Sequence, residues 1–228
     1  MRTARLVSFA FILSLVLELS ASASMSTKSA LYAEPKLTSG QQPIHSACIL
    51  PIEANLFFYT VTDHHPQPAP DPDFAKELDP IIATHMQAAG FTTTFTDKYL
   101  SAGVQQAYET LYPQIEKKPK NVAKGQYTLG PDVAKLTCAA NTDVLVIPYA
   151  EEGETSGGIE TLALMFNSTM EDGTLLSLAV VDARSGEVIA FIRIQHFARG
   201  GTSDPEKIYG PALDKELNKI KPPAPKHP

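Results

Sequence analysis

Two long apolar runs, GTLLSLAVVDA at 173–183 and GEVIAFIRIQHFA at 186–198, are parted only by Arg184 and Ser185. Runs this rich in β-branched and aromatic residues read as strands. Two intervening residues leave room for a reversal and nothing else. Asp182 can accept from backbone amides, and Gly186 can take a positive φ at little cost, which meets the needs of a type I turn with a bulge. The chain is thereby bound to an antiparallel hairpin with Arg184 and Ser185 at its exposed tip.

What precedes the hairpin fixes the class. CILPIEANLFFYTVT, 48–62, reads as a first strand with any break near Pro51. A proline-rich loop follows. Asp79-Pro80 then offers an N-cap and first-turn proline, Gly90 a stop, and Ile81, Ile82, His85, Met86 and Ala89 one apolar face, so a helix is predicted between them. FTTTF, 91–95, alternates as a short strand. Leu100, Val104, Ala107, Tyr108, Leu111 and Ile115 mark a second helix from about residue 97 or 101 to 116, with Pro113 near its end. GPDVAKLTCAAN is predicted as a third helix, and DVLVIPYA, 143–150, as a strand buried on both faces. EEGETSGG, 151–158, reads as a flexible acidic loop, and 159–167 fits either a strand or a short helix. A last helix is expected near Pro211 to Ile220, before a proline-rich tail. Helices crossing between strands, followed by a hairpin, imply an α/β fold with α+β character. It is a single domain over 45–220 with a mixed sheet.

Arg2 and Arg5, the apolar run Leu6 to Leu19 and Ala21-x-Ala23 have the form of a secretory signal peptide over 1–23. Cleavage near Ala23 would leave a periplasmic or secreted protein. Residues 24–44 read as a flexible leader and 221–228 as a disordered tail. Cys48 follows IHSA, with His45 where a lipoprotein signal has an aliphatic residue, so no lipid anchor is expected. Loss of Arg2, Arg5 and Glu18 would move the net charge from −6 to −7 (−6 − 2 + 1). An acidic chain without clustered Lys and Arg argues against a nucleic-acid partner. Cys48 and Cys138 form a disulfide candidate in an oxidising compartment; the alternative is two separate buried thiols.

The chemistry-bearing residues form no convergent pattern. Asp63, His64 and His65 could offer ligands to Zn²⁺ or Cu²⁺, but their spacing matches no His-x-x-x-His arrangement, and a solvated loop is the simpler reading. His85 lies on an apolar helix face, and His196 follows a strand, where a merely exposed alternate position is as good a reading as a functional one. GETSGG lacks the order of a nucleophile elbow. Glu151, Glu152 and Glu154 form an acidic cluster after a buried strand, a place where α/β proteins can hold sites. No catalytic residue is assigned and no cofactor is expected.

An apolar strand, Asp182, two residues, Ser185-Gly186 and Glu187-Val188-Ile189, preceded by AANTD and the VLVIPY strand, resembles one group of bacterial cell-envelope α/β domains. The group comprises CsgG-type curli-secretion pore subunits, the TolB amino-terminal domain and LpoB-like penicillin-binding-protein activators. Many of its members are lipoproteins and carry a Trp after the hairpin; here there is neither an anchoring cysteine nor any Trp. The resemblance implies a non-enzymatic envelope accessory protein or adaptor that binds another envelope protein. Glu151, Glu152, Glu154, His64 and His65 would lie on the contact loops. The alternatives are a secreted hydrolase, signalled by His85 or His196 converging with Glu151 or Glu152 in a pocket, and a weak periplasmic metal-binding protein.

Overall fold

A computed structural model of the chain describes residues 26–59, 68–96, 102–136, 138–155, 172–198 and 204–222. It is an α/β fold on one mixed sheet, as the element order implies. The strands are β1 (Ser26–Ala33), β2 (Ser46–Ile49), β3 (Glu53–Tyr59), β4 (Ala69–Pro70), β5 (Thr92–Phe95), β6 (Val144–Thr155), β7 (Asp172–Asp182) and β8 (Val188–Ala198). The helices are α1 (Pro35–Thr38), α2 (Pro72–Ala88), α3 (Ala102–Lys117) and α4 (Pro205–Leu217). The sheet runs β1-β8-β7-β6-β2-β5, and β3 continues the line of β2 along β6.

β6 organises the sheet. One of its edges runs antiparallel to β7; the other is parallel first to β2, through Cys48↔Leu145, and then to β3, through Glu53↔Tyr149. The register slips by one residue between these stretches, because Leu50, Pro51 and Ile52 stand against Ile147 and Pro148 alone. Two prolines, each lacking a donor, meet where the ladder breaks.

Apolar residues at alternate positions feed two cores. Val146, Leu178, Ile192 and Ile194 face α2 and α4, with Leu78, Ile82, Tyr209 and Leu213 packed on them. Leu145, Ile147, Val181 and Phe191 face α3 and the short 3-10 turns, with Val104, Tyr108, Ile115, Val122 and Val133. The Cys48–Cys138 disulfide lies in this second layer and ties β2 to the segment leading into β6.

The hairpin forms as its residues require. Asp182 Oδ1 accepts from the amides of Arg184 (3.0 Å) and Ser185 (2.8 Å), and Gly186 has φ 75°. A bulge falls between Val180 and Val181. The Asp before the VLVIPY strand has a similar office: Asp143 Oδ2 accepts from the amides of His45 (2.8 Å) and Ser46 (3.0 Å), pinning the start of β2 beside that of β6. Burial alone would raise its pKa; those donors outweigh burial and hold the carboxyl below its ordinary range.

Several expectations are corrected. Residues 26–33 of the expected flexible leader form β1, which pairs with β8 along its whole length, and 35–38 form α1. The helix predicted to start at Asp79-Pro80 begins at Pro72 with Asp71 as its N-cap, and Pro80 lies inside it. The last helix likewise starts at Pro205, capped by Asp204, with Pro211 inside. GPDVAKLTCAAN forms 3-10 turns at Pro131–Lys135 and Ala139–Asn141 rather than an α-helix. β6 runs on through Thr155, so the first part of the expected acidic loop is strand, held between β3 and β7. Residues 159–167, left open between strand and helix, lie outside the described residues.

Candidate functional site

The break between β2 and β3 opens a groove of about 460 Å³ at the carboxyl end of β2. Its floor is the irregular backbone from Leu50 to Ile52 and the start of β3, Glu53 to Asn55, with Ile147 and Pro148. One wall is the first half of α2, from Pro72 to Asp79, and the other is Gln105 and Tyr108 of α3. The position follows from the topology. From β2 the chain crosses through α2 to β5 on one side, and from β5 it returns through α3 to β6 on the other, so the two helices lie on opposite faces of the sheet. Such a switch in direction leaves a crevice outside the strand ends. The volume is within the range of ordinary ligand sites.

Four prolines line it, Pro51, Pro70, Pro72 and Pro148, together with Leu50, Ile52 and Ala75. The polar groups are fewer. Because the helix starts at Pro72, Asp79 is not a cap; it projects from the third turn, and its Oδ1 accepts from the Ile52 amide at 3.3 Å. Burial raises its pKa, and this one amide opposes the rise. Tyr108 is 4% exposed, and its hydroxyl has no hydrogen-bond partner among the described residues. Burial, and then the charges of Glu53, Tyr149 and Glu116, push its pKa far upward, so it is a neutral phenol at any physiological pH.

From Tyr108 a polar strip continues across the α3 face of the sheet. Tyr108 and Tyr112 stand 5.8 Å apart between ring centres, and Tyr112 and Tyr149 4.6 Å apart. Tyr149 donates to Glu151 Oε1 (3.0 Å), Asn55 Nδ2 donates to Glu53 Oε1 (3.3 Å), and Arg193 Nε donates to Glu116 Oε2 (2.8 Å). Burial raises the Glu151 pKa; the bond from Tyr149 opposes it, the charge of Glu116 adds to it, and that of Arg193 opposes it.

Of the residues singled out by sequence, those described are dispersed. Glu151 and Glu152 point to opposite faces of β6, paired with Leu175 and Thr174. Glu154 is a β6 position in register with Phe58. Asp63, His64 and His65 lie outside the described residues, while the end of their loop, Pro70 to Pro72, lines the groove. Among the described residues no three His, Cys, Asp or Glu side chains gather as a metal-ligand group. His85 is held between Asp214 (2.6 Å) and Glu206 (2.9 Å) at the α2–α4 contact. His196 is buried, 6% accessible, with Thr27 Oγ1 2.8 Å from its Nδ1 and its pKa lowered by burial. His196 and Glu152 are each in register with Thr174, on either side of it, so a whole strand separates them. His196 and Glu152 thus do not form the convergence that would signal a hydrolase.

No protein-family profile matches the chain, and no curated protein does. Among solved structures it is similar to a PelC dodecamer from Paraburkholderia phytofirmans in space group P6, with 14% identity and TM-score 0.44 over 87% of this chain and 99% of that one. A PelC point-variant dodecamer in space group C2 gives 13% identity and TM-score 0.43 over the same shares of the two chains. Likenesses this distant carry no argument about function. Among the described residues, no helix is long and apolar enough to cross a membrane.

Proposed function

We propose that the protein is an exported, non-enzymatic accessory protein of the cell envelope that binds another envelope protein in the groove at the β2–β3 break. The observation that carries this reading is the groove itself: a preformed concavity at a topological switch point, walled by two helices and stiffened by four prolines. Proline-lined walls lose little conformational freedom when a partner segment is ordered against them, which favours association. The signal-like sequence at 1–23 and the resemblance to envelope α/β domains support the compartment. The contact surface moves from the acidic stretch at 151–154 to the groove, because that stretch is strand and the end of the proline loop borders the cavity.

The test is site-specific photocrosslinking in intact cells of the native host. A photoreactive residue in place of Ala75, in the groove, is expected to trap one envelope protein reproducibly. The same residue in place of Glu109, on the exposed side of α3, is the control. No adduct from Ala75, or equal adducts from both positions, would reject this placement.

A further inference from the structure

We infer that the start of β1, Ser26 to Ser29, is an acid-released clasp, seated at neutral pH on His196 of β8 and Glu216 of α4 and withdrawn from the β8 edge as these two groups take up protons. Among the described strands β1 ends the sheet on its side and pairs with β8 alone. Two of its side chains tie it down: Thr27 Oγ1 lies 2.8 Å from His196 Nδ1, and Ser29 Oγ donates to Glu216 Oε1 at 2.7 Å. What the groove binds has no bearing on this edge.

The seat of His196 suits the neutral ring. The residue stands in register between Thr27 on β1 and Thr174 on β7, and Thr174 accepts from the Tyr209 hydroxyl of α4. Its Nε2 is buried and has no hydrogen-bond partner among the described residues. In one neutral tautomer Nδ1 donates to Thr27 and Nε2 is a bare acceptor. An imidazolium instead places a charged donor at Nε2, and a buried charged donor without an acceptor is costly. No carboxylate offsets this: burial lowers the His196 pKa unopposed. Lys28 lies on the other face of β1, over the Phe197 ring.

Glu216 is fully buried, and burial alone would raise its pKa; the hydrogen bonds from Lys219 and Ser29, with the charges of Lys219 and Lys215, outweigh it and lower the value. Both groups thus bind fewer protons seated than released. Each holds β1 at neutral pH and loses that hold in acid, His196 as pH falls from 6.5 toward its lower seated value and Glu216 likewise from 4.5. The far end of β1 has the opposite sense. There the Glu34 amide donates to the Ile189 carbonyl (3.0 Å), and the Glu34 carboxyl meets that of Glu187. Burial and then this contact raise the Glu187 pKa, with Lys36 opposing and Asp182 adding to the rise, and a raised carboxyl holds best in acid. His85, between α2 and α4, is raised as well. Acid therefore frees the first half of β1 and leaves its far end and α4 anchored.

The test is hydrogen exchange of the full chain between about pH 7.5 and about pH 5, each amide rate divided by its intrinsic rate at that pH. Amides of Ser26 to Ser29, and the β8 amides that donate to them, are expected to lose protection several-fold toward the lower pH. The ceiling is about 30-fold, for one group that titrates at 6.5 when released and not at all when seated. Amides of β6 and of Tyr32 to Glu34 are expected to keep theirs. His196→Gln should abolish the response, and Glu216→Gln should leave it in place over this range. A flat response in the wild type, an unchanged one in His196→Gln, or a loss spread evenly over the sheet would each overturn the clasp. If His196→Gln unseats β1 at every pH, the wild-type chain decides. Titration of its His196 ring, followed by NMR, must run with the loss of β1 protection, and a midpoint at or above 6.5 ends the proposal.

Discussion

The Nδ1 of His85 lies 2.6 Å from Oδ1 of Asp214, so a single imidazole joins α2 to α4. Glu206 takes the other ring nitrogen at 2.9 Å, and a Cβ at Gly210 would stand 2.7 Å from Nε2, which leaves glycine the residue that fits beneath the ring. Burial alone would lower the His85 pKa; the hydrogen bonds and charges of Asp214 and Glu206 outweigh it and raise the value above 6.5. A raised histidine contributes stability that is fully present below its unfolded pKa and is lost as pH rises through the folded one. Both carboxylates are half-exposed, so the pair is worth at most about 1 kcal/mol. Asp214→Asn is therefore expected to destabilise by roughly that amount at about pH 5.5 and by less at about pH 8.5. Urea unfolding at the two values checks this, and a larger loss at the higher pH would contradict it.

The Cys48–Cys138 bridge closes a loop with a sequence separation of 90. In the chain-entropy account a loop of that size contributes about 4–5 kcal/mol by restricting the unfolded state. The double variant Cys48→Ser/Cys138→Ser should lose most of that in chemical unfolding. Unfolded but unreduced wild-type protein should show no reactive thiol.

Gly186 and Gly40 have nearly equal backbone conformations, φ 75° and 73°. Their surroundings differ. A Cβ at Gly186 would stand 2.0 Å from the Gly130 carbonyl oxygen, and at Gly40 it would meet nothing within 4 Å. Gly40→Ala should then cost only the left-handed strain, about 1 kcal/mol, and Gly186→Ala at least twice as much. Parallel thermal melts of the two variants decide it.

Tyr108→Phe tests the buried hydroxyl while keeping the ring. Removing a buried hydroxyl that has no partner among the described residues relieves a desolvation cost of about 1–3 kcal/mol. The variant should therefore be as stable as wild type or more so in urea unfolding. A clear loss of stability would mean that the hydroxyl has a structural partner.

The hairpin was legible because its constraint is local: Asp182 and Gly186 specify a turn whatever surrounds them. β6 was legible as an apolar run, but its length was not. Glu151 to Thr155 look like a loop by composition and are strand because β3 and β7 hold both edges. Pro80 and Pro211 misled in the same way, since a proline suited to a first turn can also sit inside a helix when packing outweighs its lost hydrogen bond. A better signal was present in Asp71-Pro72, with Phe74, Leu78 and Ile82 at a spacing of four. Tyr108 was read correctly as a buried helix position, and the absence of a partner for its hydroxyl among the described residues is a property of packing that no local pattern encodes. β1 was missed because its small and polar residues gain their order from β8 alone among the described strands.

That pairing sets a sequence of events in the making of the molecule. Thr27 is among the first described residues, and its side chain meets His196, 169 positions further on. Its strand cannot be seated until β8 is available, so the earliest of the described strands is among the last of them to find a neighbour. Until then it is an unpaired edge, open to any other strand nearby. Loss of β8 by premature termination would strand β1 permanently in that state.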